Sequence, residues 1–112
     1  MPEPASHLFG LADSVISRMR SVFARYPQVR EVRVYGSRAK GSHRSGSDID
    51  LAIMGNGVSD LDLLHIASDI DDLPLPYQVD LALFRQIDNP ALIEHIERVG
   101  KVFYSATGAS AG

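Results

Sequence analysis

The stretch VYGSRAKGSHRSGSDIDLAI, residues 34 to 53, sets two alternating apolar segments on either side of a loop rich in glycine, serine and basic residues. On its far side, Ile49, Leu51 and Ile53 alternate with Asp48 and Asp50, so a strand over 48 to 54 would turn its isoleucines and leucine one way and both aspartates the other. On its near side, Val32 and Val34 alternate with Arg33 and Tyr35, which predicts a short strand broken at Gly36. Aspartate is depleted in strands and costly to bury without a partner. Two on one face, roughly 6 to 7 Å apart along the chain, ask for something cationic.

Working outward, Leu8, Leu11, Val15, Met19 and Val22 recur at spacings of three and four, predicting an amphipathic helix from Ser6 to about Arg25 that Pro27 stops. Ser59 with Asp62 forms a capping-box start for a second helix, whose inward side is read as Leu63, Leu64, Ala67 and Ile70. QVDLALF, residues 78 to 84, reads as a third strand, and it again carries a carboxylate, Asp80. Asn89-Pro90 opens a helix through about Arg98 with Leu92, Ile93 and Ile96 inward, Gly100 ends it, and residues 101 to 104 can form a last strand. No linker or repeat divides this order. It predicts one α/β (α+β) domain over residues 1–104, a mixed sheet with helices packed against it, followed by a disordered tail over 105–112.

Composition narrows the function. Of 112 residues, 45% are apolar and 22% charged, the balance of a folded globular domain and not of a disordered one. With no cysteine and four scattered histidines, disulfides and a zinc cage are out of reach. No apolar run approaches the roughly 18 residues of a membrane span, and the start MPEPASHLFG lacks the features of a signal peptide, so a cytoplasmic location without membrane contact is expected. A net charge of −3 gives no general attraction to nucleic acid, so anion binding has to be local and no direct nucleic-acid partner is expected.

The loop before Asp48 offers that local site. Gly36 permits a sharp turn and a close backbone approach, Ser37 supplies a hydroxyl and an N–H, and Arg38, Lys40 and Arg44 supply positive charge. A short helix after Gly36 would aim its N-terminus at the anion. The aspartates suit magnesium, which takes carboxylate oxygens and completes its shell with water and phosphates. If Asp80 lies on a neighbouring strand and the same face, the three can hold two such ions, an arrangement suited to in-line phosphoryl transfer. Read alone, the Asp48–Asp50 pair could also be a solvated face and Asp80 an exposed residue on an edge strand. His43 has nothing to orient it, His65 and His95 read as surface or boundary positions on helices, and Asp69, Asp71 and Asp72 read as solvated charges at a helix end.

The pattern Gly36-Ser37, ten residues, Asp48-Ile49-Asp50, and a later Asp80 in VDLALF resembles the DNA polymerase β-like nucleotidyltransferase superfamily, and GSRAKG in a short chain is similar to its minimal nucleotidyltransferases. The resemblance spans roughly residues 29 to 104. It implies that Asp48, Asp50 and Asp80 bind two magnesium ions, that Asp80 also helps to activate the acceptor hydroxyl, and that Gly36 and Ser37 hold the triphosphate of ATP. Minimal members of this kind commonly accompany a HEPN-domain ribonuclease, a toxin that they silence as antitoxins by moving AMP from ATP to a tyrosine and releasing pyrophosphate. Two other activities stay open: neutralisation by binding alone, and transfer to a small-molecule hydroxyl, against which the absence of an added helical domain counts.

Overall fold

The computed structural model describes residues 8–41 and 47–106. Eight elements follow in order: α1 (Asp13–Ala24), β1 (Glu31–Tyr35), α2 (Ser37–Lys40), β2 (Ile49–Ile53), α3 (Asp60–Asp71), β3 (Val79–Leu83), α4 (Pro90–Val99) and β4 (Lys101–Ser105). They build one four-stranded mixed sheet in the order β3-β2-β1-β4. β1 runs antiparallel to both β2 and β4, whereas β2 and β3 are parallel, joined through α3 as a parallel pair requires. The expected mixed sheet with packed helices is therefore the observed architecture. No helix among the described residues is long and apolar enough to cross a membrane.

Alternation in the sequence settles the two faces. Val34 pairs with Leu51 and Val32 with Ile53, and across the parallel pair Leu51 faces Leu81 and Ile53 faces Leu83. These side chains meet Met19, Val22 and Phe23 of α1 and Ile66 and Ile70 of α3 in a single buried core. The opposite face carries Tyr35, Asp50 and Asp80 in adjacent register. α4 packs on β1, and its Ile96 is fully buried outside the main core, as is Ala52 of β2.

Local signals explain most boundaries. Ser59 and Asp62 form the expected reciprocal capping box, and Asn89 caps α4 by accepting from the amides of Ala91 and Leu92, with Pro90 in the first turn. Two expectations are corrected. α1 starts at Asp13, because Leu8–Gly10 forms a separate 3-10 turn with Phe9 at φ 58° and Gly10 at φ 74°, and Ala12 is extended, which breaks the helical ladder; Ser6 lies outside the described residues. Leu64 does not face the core. It is 66% exposed and Ile66 takes the inward position, since apolar residues on several sides of α3 left its inward face ambiguous. At the other end, β4 runs to Ser105, which pairs with Glu31, and residues 107–112 of the expected tail lie outside the described ones.

Candidate active site

Strand register brings two of the three aspartates abreast. Asp50 on β2 and Asp80 on β3 are direct partners across the parallel pair, so their carboxyl groups stand on the same face of neighbouring strands. Asp48 precedes β2 by one residue and is exposed, close enough for its charge to act on Asp50. Burial pushes the Asp50 carboxyl above its ordinary range, and the negative charges of Asp80 and Asp48 push the same way. The Tyr35 phenol, paired with Asp50 across β1 and β2, is likewise raised, by burial first and then by Asp50 and Asp80. Carboxylates so placed, with no arginine or lysine among the described residues acting on Asp50, form a patch that repels itself.

The turn after β1 fits against that patch. Gly36 adopts φ 73° and ψ −155°, a region open essentially only to glycine. A Cβ here would lie 2.5 Å from Asp50 Oδ2, so any other residue would have to displace that carboxylate as well as adopt an unfavourable conformation. Ser37, half-buried, begins the single turn of α2, and Lys40 ends it, exposed. Residues 42–46, which include the candidates His43 and Arg44, lie outside the described residues.

Arg38 departs from the reading as a phosphate ligand. It is 3% exposed, the single buried charged residue among those described. Its Nε and Nη2 donate to the Ser47 carbonyl at 3.1 and 2.7 Å, its Nη1 donates to the Phe9 carbonyl at 2.9 Å, and its guanidinium stacks 4.8 Å from the centre of the Tyr77 ring. A loop cation is expected in solvent, but here distant residues close over it. The result is a clamp between the strained Phe9 turn and the residue directly before Asp48.

Sequence reasoning passed over Tyr35 and His95. The backbone N–H of Gly36 donates to His95 Nε2 at 3.1 Å, and the imidazole meets the Tyr35 ring edge-on with centroids 6.3 Å apart. One signal was available: Leu92, His95, Ile96 and Val99 follow the spacing of the inward stripe of α4, so a polar residue sits in an apolar row.

Whether magnesium suits these residues follows from the donor set. Asp50 and Asp80 offer only oxygen ligands, side by side, with Asp50 partly desolvated, and a divalent cation would remove their repulsion. Among the described residues no three acidic or histidine groups already enclose an ion.

Comparison with solved structures supports the fold. A toxin–antitoxin complex with AMP-PNP superposes with a TM-score of 0.64 at 19% identity, over 84% of this chain and 76% of that one. The MntA-HepT toxin–antitoxin gives 0.61 at 16% identity, and a tri-AMPylated Shewanella oneidensis HEPN toxin in complex with an MNT antitoxin gives 0.59 at 16%, each over 88% of this chain and 76% of the other. No curated protein matches the sequence significantly. The family model for polymerase beta nucleotidyltransferases matches residues 18–108, which span β1 to β4 and all three aspartates, and the chain therefore belongs to that family.

Proposed function

We propose that this nucleotidyltransferase is an antitoxin that moves AMP from ATP to a tyrosine hydroxyl of a HEPN-domain ribonuclease toxin. The observation that carries the reading is the Asp50–Asp80 pair: two carboxylates in register, Asp50 half-buried and Asp80 exposed, with the negative charge of Asp80 acting on Asp50, on the face that Gly36 and Ser37 border. Likeness to complexes containing AMP-PNP and a tri-AMPylated HEPN toxin supports the choice of nucleotide and acceptor.

Asp48, Asp50 and Asp80 would hold magnesium, two ions by the family resemblance, which neutralises charge on the triphosphate and on the departing pyrophosphate. Gly36 lets the backbone pass close to the phosphates, and Ser37 offers its hydroxyl and N–H to them. Asp80 lies exposed on β3, an edge strand of the sheet, where an acceptor can approach from solvent. There it accepts the phenolic proton as the tyrosine oxygen bonds to the α-phosphorus and the bond from that phosphorus to the pyrophosphate oxygen breaks. Arg38 takes no part in holding phosphate; it fixes Ser47 and with it the approach to Asp48.

The test is to incubate the chain with ATP, magnesium and the HEPN protein encoded beside it, and to weigh the partner intact. Gain of one or more AMP units, lost with Asp48→Asn, is the expected result. A tight complex with unchanged mass would overturn transfer in favour of neutralisation by binding alone.

A further inference from the structure

The geometry points to His95 as a positioning residue for the nucleotide site, an inference that rests on the nucleotidyltransferase reading above. Gly36 holds a backbone conformation that persists only where its surroundings over-determine it. Its N–H lies just past the end of β1, where the ladder to β2 has finished at the Tyr35–Asp50 pair, and it would be left without an acceptor there. His95 Nε2 supplies the acceptor at 3.1 Å. An imidazole accepting at Nε2 carries its proton on Nδ1, so the neutral ring is the form that makes this contact.

The ring is fixed in turn. Tyr35 packs against it edge-on, and the next residue in α4, Ile96, is fully buried. Gly36 is equally constrained on its other side, where the space of a Cβ is filled by Asp50 Oδ2. A chain of contacts therefore runs from α4 through His95 and Gly36 to the Asp50 carboxylate on one side and to Ser37, the next residue, on the other. Because Nε2 is engaged by a backbone amide, His95 acts through Gly36 and not as an acid or base on the substrate. It sets where the glycine turn stands relative to the carboxylates, and hence where a phosphate and its cation can sit.

Full-length protein carrying His95→Ala, His95→Phe or His95→Gln separates this role from simple packing. Phenylalanine keeps the contact with Tyr35 but has no acceptor, whereas the glutamine amide oxygen reaches about as far as Nε2. We expect Ala and Phe to speed hydrogen exchange at the Gly36 amide by about tenfold, read by NMR, and to weaken magnesium–AMP-PNP binding about fivefold by calorimetry; Gln should restore both to within about twofold of wild type. Unchanged Gly36 exchange in Ala and Phe, or a Gln variant no better than Phe, would overturn the assignment. If wild-type protein binds no magnesium–AMP-PNP, the nucleotide reading fails, and Gly36 exchange alone then decides whether His95 positions the turn.

Discussion

Arg38 and Asp50 are both charged groups drawn away from solvent, and their charge is met in opposite ways. Arg38 is fully enclosed, with two carbonyls and an aromatic face arranged around it. The aspartates are less buried, yet what faces them is more negative charge. Protein interiors normally satisfy their polar groups, so the satisfied cation reads as architecture and Asp50, faced by further carboxylates, as a place kept for a ligand. Depth of burial alone would have ranked them the wrong way round.

The sharpest way to break that contrast is Asp80→Asn. It keeps shape and packing, so the fold should persist while AMP transfer to the HEPN partner falls by about a thousandfold in a single-turnover assay. Residual transfer near the wild-type rate would place the proton acceptor elsewhere.

Arg38→Ala should do the reverse and strike stability first. It removes the guanidinium bonds to the Phe9 and Ser47 carbonyls and opens a gap beside Tyr77, for a loss of about 2–4 kcal/mol in urea unfolding. Arg38→Lys should recover only part of this, since an ammonium cannot reproduce the planar fork that spans both carbonyls.

Both charged regions were partly legible in the sequence. Asp50, Asp80 and Gly36 could be placed because strand alternation and glycine chemistry are local properties. What the cation does was hidden, because its enclosure depends on Phe9 and Tyr77, far from it along the chain, whereas a basic residue among serines and glycines looks solvated. His95 was hidden for a similar reason: its partner Gly36 is joined to it only through the packing of α4 on β1. The inward face of α3 was misread because Leu61, Leu63, Leu64 and Ile66 do not define a single stripe, and Leu61 and Leu64 prove exposed.

Gly36→Ala probes the border of the acidic region. The new methyl group would meet Asp50 Oδ2 and force a positive φ on alanine, so a loss of about 1–3 kcal/mol is expected in the same unfolding assay, along with weaker magnesium–AMP-PNP binding. A fully stable variant with normal binding would mean that the turn can relax away from the carboxylate.

The smallest effect is a gain. Asp50 holds its proton more tightly in the folded chain than in the unfolded one, where its ordinary value is 3.8. Without metal, its contribution favours folding most at pH below that value and is lost as pH rises through the higher folded value. Asp50→Asn should therefore raise the melting temperature of metal-free protein at neutral pH by about a few degrees and flatten this part of the pH profile, while ending transfer. Magnesium should stabilise wild type and leave the variant nearly unmoved in the same thermal melts.

The strand order carries a consequence for how the chain acquires its shape. β1 finds β2 across a short loop, but its other neighbour is β4, and Glu31 must wait for Ser105, near the far end of the chain. Pairings between such distant residues are slow to close, whereas the glycine turn and the first aspartates lie within the locally closed part. During synthesis the half of the sheet that carries Asp48 and Asp50 can begin to organise while one side of β1 is still an open edge, a period in which a partner or a second nascent chain could occupy the place that β4 later fills.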